Sequence, residues 1–254
     1  MNQKYFIYVK AINILILREF QRIKMEPSRL MGMILQPLIF WLIFSLGFNN
    51  NFIYKLNNLH ISYKSYFFPG ILGLVLLFAS IYSTLTLVED KKCGFFKFVI
   101  CSPVGICGAL LGKILATSII GFVQSLLFLP LAFFIFDINN NIFLMLPILL
   151  LGSLTFSVLG VIFAIISPSS SAFHALMSII LIPMWLLSEA MFPLKNTFLD
   201  FILYINPMSY LVRILRIIFL NSDENLSFNL MALAIFLILL LFVLFLLIRK
   251  KSFE

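Results

Sequence analysis

The chain has 254 residues, 62% of them hydrophobic and 11% charged, with a mean hydropathy of +1.11, whereas a soluble domain is about 45–50% apolar and about 25% charged. The apolar residues fall in long uninterrupted runs that no globular core of this size buries, so a soluble fold is excluded and an all-α polytopic membrane protein is expected. The net charge of +8, from 18 Lys and Arg against 10 Asp and Glu, marks cytoplasmic flanks of spans and gives no sign of nucleic-acid binding.

Residues 4–26 mix Lys4, Lys10, Arg18, Glu19, Arg22 and Lys24 with Phe6, Val9, Ile12, Ile16, Phe20 and Ile23. The apolar set repeats every three or four residues and forms one helical stripe, which predicts an amphipathic helix lying in the membrane surface. The alternative is a poorly formed first span. No small-residue cleavage site follows a short apolar core, so no secretory leader is expected here.

A crossing helix needs about 20 predominantly apolar residues. Six segments meet that length, at about 30–48, 66–88, 114–136, 142–166, 172–193 and 228–248, within a single membrane domain over 1–254. With both termini cytoplasmic, 13 of the 18 basic residues lie inside, in the N-terminal segment, in Lys91–Lys113 and at Arg249–Lys251. Only Lys55, Lys64, Lys195, Arg213 and Arg216 lie outside, so the positive-inside rule favours this orientation.

The Asn-rich stretch 49–65 reads as a plain solvated connection, and Ser167-Pro168-Ser169-Ser170-Ser171 as a cytoplasmic turn. Segment 89–113 opens with Glu89-Asp90-Lys91-Lys92-Cys93-Gly94 and continues Phe95-Phe96-Lys97-Phe98-Val99-Ile100. Its charges keep it out of hydrocarbon while its aromatics favour burial, which predicts a short helix at the cytoplasmic surface. That helix either rests on lipid headgroups or docks on a partner.

Glu189 is the single clear acid within a span. It either contacts a polar or cationic substrate group in the path, or reaches water at the helix end and pairs with Lys195 or Arg213. Segment 194–227 is broken by Pro193 and by Asn206-Pro207. Its runs 198–205 and 210–220 are too short to cross, so a re-entrant hairpin on the outer side is expected. Arg213 and Arg216 share one face of it and reach toward the outer interface.

Catalytic and cofactor signatures are missing. Gly112-Lys113-Ile114 lacks the first glycine and the hydroxyl residue of a phosphate loop. His60 and His174 fall on opposite sides of the predicted membrane, and Cys93, Cys101 and Cys107 lack metal-site spacing. The chain is expected to be no enzyme and to hold no cofactor of its own.

Taken in order, these features resemble the permease subunit of the type 2 ABC transporters. Arg18-Glu19-Phe20 and Arg29 … Gln36-Pro37 look like the family's surface helix and first span. Tyr66-Phe67-Phe68-Pro69-Gly70-Ile71 is similar to its opening of span two. Glu89-Asp90-Lys91-Lys92-x-Gly94, Ser102-Pro103 and Gly112-Lys113 resemble its first cytoplasmic loop. Met191-Phe192-Pro193 and Asn206-Pro207-Met208-Ser209-Tyr210 … Arg213 … Arg216 look like its outer segment. The chain departs from the pattern at Glu189, where a small residue is common, and at Asn196-Thr197-Phe198, where a Leu-Pro pair is common.

The resemblance implies an ATP-driven exporter of a bacterial inner membrane. Two permease copies, an identical pair, would sit among membrane lipids with separate cytoplasmic ATPase subunits that carry ATP and Mg. On this chain it implies ATPase docking at Asp90, Lys91, Gly94, Phe95 and Pro103, with a smaller contact at the 167–171 turn. It also implies an outer hairpin containing Asn206, Pro207, Tyr210, Arg213 and Arg216. The competing reading is a secondary carrier or channel working without ATP, against which stand the sparse intramembrane charge and the lack of a paired span interruption. Drugs, lipids, lipid-linked sugars and polysaccharide all remain compatible substrates.

Overall fold

The computed structural model describes residues 2–48, 53–56, 59–132, 135, 142–194, 200–220, 222 and 224–250. Helix α1 (Asn2–Met25) is broken at Glu26 from α2 (Pro27–Phe48). Proline suits the first helical position of α2, where its missing N–H leaves no bond unmade. The solvated connection expected at 49–65 is replaced by a ribbon of β1 (Ile53–Leu56) and β2 (Leu59–Ser62), antiparallel with Ile53 opposite Ser62. Apolar and polar residues alternate along β2, Leu59-His60-Ile61-Ser62, a pattern that a reading for long apolar runs passes over.

Ser62 caps α3 (Tyr63–Ser83) by accepting the Ser65 N–H at 3.4 Å. A bend at Thr84 leads into α4 (Leu85–Lys92). There the hydroxyls of Ser83 and Thr84 donate to the carbonyls of Ser80 and Ile81 at 2.8 and 2.7 Å. Such back-bonding competes with the helical ladder and bends it without proline. Next come α5 (Phe95–Ile100), entered through Gly94 at φ +77°, and α6 (Gly105–Ala132). They are followed by α7 (Ile142–Ile166), α8 (Ser170–Leu186), α9 (Asp200–Ile205), α10 (Pro207–Leu220) and α11 (Leu226–Lys250).

The protein is an all-α polytopic membrane protein in its spans, and among the described residues five apolar stretches are long enough to cross: Met31–Phe48, Tyr63–Lys92, Gly105–Ala132, Leu144–Ile166 and Leu226–Lys250. Helix α8 has 17 residues, about 26 Å at 1.5 Å per residue, and stops at Leu186, short of the expected 193. The third span begins nine residues before the expected 114, which places Lys113 inside α6.

Helix α3 is the hub, buried along nearly its whole length by α2, α6, α7 and α10. Apolar burial gives little drive between helices already in lipid, so close approach must come from small residues. Gly121 of α6 sits on Ser80, and Gly160 of α7 lies where a Cβ would meet Thr84 at 2.8 Å and the Ile81 Cα at 3.0 Å. Helices α2 and α11 instead expose large apolar side chains, Leu42, Ile43 and Leu46 on one and Ile238, Phe242 and Phe245 on the other.

Candidate functional site

The amphipathic helix α1 is pinned by charge to α4 and α6. Arg18 and Arg22 lie four apart on one face of α1, as helical periodicity requires. Arg18 holds Asp90 of α4 with both amines, at 2.7 and 2.9 Å. Arg22 reaches the same carboxylate at 2.7 Å and Glu89 at 2.5 Å. On the adjacent turn, Lys113 of α6 meets Glu19 at 2.6 Å, and Thr86 donates to the same Glu19 oxygen at 2.8 Å while also contacting the lysine ammonium. Asp90, Glu19 and Lys113 are all buried. The bidentate bond to Asp90 raises the Arg18 pKa above its ordinary value. Buried ion pairs add little net stability, but leaving one partner alone is costly, so the cluster fixes a single register for α1, α4 and α6.

Lys91, one residue on, points elsewhere because adjacent helical residues sit about 100° apart. Its ammonium donates to the carbonyls of Ala164, Ile165 and Ser167 at 2.5, 3.1 and 2.9 Å, closing the C-terminal end of α7. A cation there satisfies carbonyls that the helix leaves unpaired and complements its dipole. Lys91→Met is expected to lower stability by about 1–3 kcal/mol, read as the temperature of half-loss of the monodisperse peak in detergent, with Lys91→Arg retaining most of it.

Helix α5 follows the turn at Gly94. Phe96 and Val99 anchor it inward, Phe95 lies half-buried with the Arg18 guanidinium 3.8 Å over its ring, and Phe98 is 75% exposed. Lys97 and Pro103 are exposed as well. Of the residues expected at this site, Gly94 and Pro103 face outward and Phe95 supports the helix. Asp90 and Lys91 are committed to contacts within the fold. Phe98, expected to favour burial with the other aromatics, is exposed instead, because its position depends on which α5 face meets α6.

At the opposite end, the turn after α8 is gripped by α10. Glu189 takes a left-handed backbone, φ 61°. Its carboxylate accepts from Arg213 Nε and Nη2, both at 3.3 Å, so of its two expected environments the structure shows the pairing with Arg213. Lys195, the other expected partner, lies outside the described residues. The Glu189 carbonyl accepts from Tyr66 at 3.2 Å and from Arg216, whose guanidinium stacks 4.1 Å over the Tyr66 ring. Both arginines thus turn onto the end of α8.

Asn206 caps α10 by accepting the Met208 N–H at 3.0 Å, with Pro207 at the first helical position, and donates to the Met184 carbonyl at 2.5 Å. Tyr210 donates to the Tyr204 carbonyl at 2.9 Å, tying α10 to α9. Among the described residues no group of three or more His, Cys, Asp or Glu is placed to hold a metal ion, and Cys93, Cys101 and Cys107 are exposed free thiols.

Both sites fall within residues 10–220, which match a family model described as ABC-2 type transporter. The chain is 27% identical over 240 residues to a putative transport permease ycf38 of Cyanophora paradoxa, covering 91% of this chain and 81% of that protein. It is 24% identical over 223 residues to the protein of the same name from Porphyra purpurea, covering 85% and 76%. To nodulation protein J of Neorhizobium galegae it is 25% identical over 244 residues, covering 90% and 88%.

Proposed function

Since the chain belongs to the ABC-2 type transporter family of membrane permeases, we propose that it forms the substrate path of an ATP-driven exporter of a bacterial inner membrane, powered by a separate ATPase subunit that carries ATP and Mg. The observation that carries this reading is the exposed Phe98 on a helix braced from both sides. An exposed apolar tip on a segment that also exposes Lys92, Lys97 and Pro103 suits a groove on a soluble partner better than water. Force applied at α5 has rigid routes onward. Asp90 passes it to α1, Lys91 to the end of α7, α4 to α3, and the Glu19–Lys113 pair to α6. Both termini lie in the cytoplasm, and two identical copies pair around the path. Helix α8 with the 187–193 turn serves as the fifth of six spans, and α9 with α10 forms the outer hairpin, dipping into the membrane. Glu189 stands at the outer mouth with its charge matched by Arg213, holding the mouth's shape until substrate displaces that partner.

The test is affinity purification of the tagged chain from native-host membranes in mild detergent. Wild-type chain is expected to bring a P-loop ATPase near one-to-one. Phe98→Asp is expected to retain less than about a tenth of it, equivalent to about 1.4 kcal/mol or more of docking energy, with unchanged insertion and thermal stability. A chain that purifies alone, oligomeric and still transporting, overturns the exporter reading in favour of a carrier working without ATP.

A further inference from the structure

Cysteine behaves as a small hydrophobe, and folded proteins tend to bury it. This chain has three cysteines and is 62% hydrophobic, so interior positions are plentiful. Yet Cys93, Cys101 and Cys107 are all exposed free thiols, gathered in the stretch that carries α5. Packing does not account for them. What an exposed thiol offers instead is exchange chemistry, which in a reducing cytoplasm is transient and regulatory.

Their positions differ. The Cys93 thiol closes α4 by donating to the Asp90 carbonyl at 3.6 Å. Cys107 lies in the first turn of α6, one residue before Gly108, where a Cβ would meet Tyr8 of α1 at 3.0 Å. Cys101 belongs to the outward face of α5. Its N–H donates to the Lys97 carbonyl at 3.2 Å, and its φ of −74° and ψ of −10° continue the helical backbone. Helical spacing therefore sets Cys101 beside Phe98, three residues earlier, and Lys97, four earlier, with about 5–6 Å between Cβ atoms. Phe98, 75% exposed, is the docking tip of the exporter reading. A group bonded to Cys101 stands on that same face.

Charge selects the group. Lys92 and Lys97 are exposed, and no Asp or Glu follows Asp90 as far as Cys107. The two acids just before them are engaged elsewhere, Glu89 by Arg22 and Asp90 by Arg18 and Arg22. The surface around α5 is therefore basic, and it attracts acidic reagents over cationic ones.

We propose that Cys101 is a reversible modification site that takes up an acidic thiol of low molecular weight as a mixed disulfide, and that this releases the ATPase from α5. The inference rests on the exporter reading above and adds a regulation to its docking face. In the step, Cys101 loses its proton to solvent and its thiolate attacks one sulfur of a small disulfide. That S–S bond breaks, a new one forms to Cys101, and the other half leaves as a thiolate. The cysteine is oxidised and the small disulfide is reduced. Excess thiol reverses the exchange, so export would stop while the small-thiol pool is oxidised and resume when it recovers.

Detergent-solubilised native-host membranes holding the tagged full chain are treated with glutathione disulfide or with cystamine, a cationic disulfide, before affinity capture. Peptide mass reads occupancy at each cysteine, and the captured ATPase is measured alongside. In the Cys93→Ser, Cys107→Ser chain, which keeps Cys101, glutathione is expected to occupy Cys101 about threefold faster than cystamine does at low salt, a gap that closes at high salt. ATPase retention should then fall about tenfold, as for Phe98→Asp, and return after dithiothreitol. The Cys101→Ser chain should keep its ATPase through the same treatment. Equal reaction of the two disulfides at low salt, or full occupancy of Cys101 with unchanged ATPase, overturns the proposal. Equal loss of ATPase from the Cys101→Ser chain does so too. An untreated chain that captures no ATPase removes the exporter reading, while the charge preference at Cys101 is still decided by mass alone.

Discussion

Replacing Lys113 with alanine is expected to destabilise the protein by about 3–5 kcal/mol, the usual result of stranding one partner of a buried ion pair. The lysine is 5% exposed in its side chain and so is its partner Glu19, 2.6 Å away. Without the ammonium, Glu19 keeps, among the described residues, the Thr86 hydroxyl and Arg18 at 3.2 Å to offset its charge. The half-loss temperature in detergent should fall by about 10 °C, on a scale of about 2–4 °C per kcal/mol for a chain of this size. The double variant Glu19→Gln with Lys113→Met should recover most of the loss, because glutamine still accepts from Thr86 and methionine fills the lysine's volume. A single variant within about 2 °C of wild type would mean that Glu19 is reached by water and that the cluster does not set the register of α1. The same variant should also shed ATPase, since α1 is one of the supports behind α5.

Gly70→Ala carries the second large effect. A Cβ at position 70 would lie 2.5 Å from the Ala190 carbonyl oxygen and 2.8 Å from the Ala190 Cβ. Backbone must yield, and this backbone is held: the Glu189 carbonyl next to it accepts from Tyr66 and Arg216, and the Gly70 carbonyl accepts from Trp185 Nε1 at 3.0 Å. Overpacking of this kind costs about 1–3 kcal/mol. The chain has two tryptophans, so in a Trp41→Phe background the emission of Trp185 reports directly on the disturbed contact and should shift to the red. Gly47→Ala is the control, since nothing lies within 4 Å of its Cβ, and an alanine there should be neutral or stabilise by about 0.5–1 kcal/mol. Equal behaviour of the two variants would show that the α3–α8 approach is looser than these distances state.

Much of the candidate site was visible in the sequence as composition. The charges at 18–26 and at Glu89-Asp90-Lys91-Lys92 stand out in an otherwise apolar chain, and the Phe-rich run after Gly94 demanded a surface position. What could not be read was their pairing. Arg18 and Asp90 are 72 residues apart, and several acids and bases offered equally plausible partners. Asp90 and Lys91 look alike as loop charges, yet one is buried against α1 and the other closes α7. Phe98 differs from Phe96 only in which way a six-residue helix is turned. Arg213 and Arg216 looked like residues bound for the interface, yet both bond Glu189, whose left-handed backbone no local propensity favours in a non-glycine residue.

By itself the sequence determined that this is a polytopic helical membrane protein, and nearly where its long helices run. Hydropathy sums along the chain, and a run of about 20 apolar residues has no other stable solution in lipid. It also determined the break at Asn206-Pro207, because proline acts on its own backbone. Tertiary structure alone decided that α8 ends at Leu186 and that α1 is clamped to α4 and α6. Each of these depends on side chains from separate helices meeting at a few ångströms. Hydrogen bonds and ion pairs act over that range, and one chain read in order carries no record of which helix lies beside which.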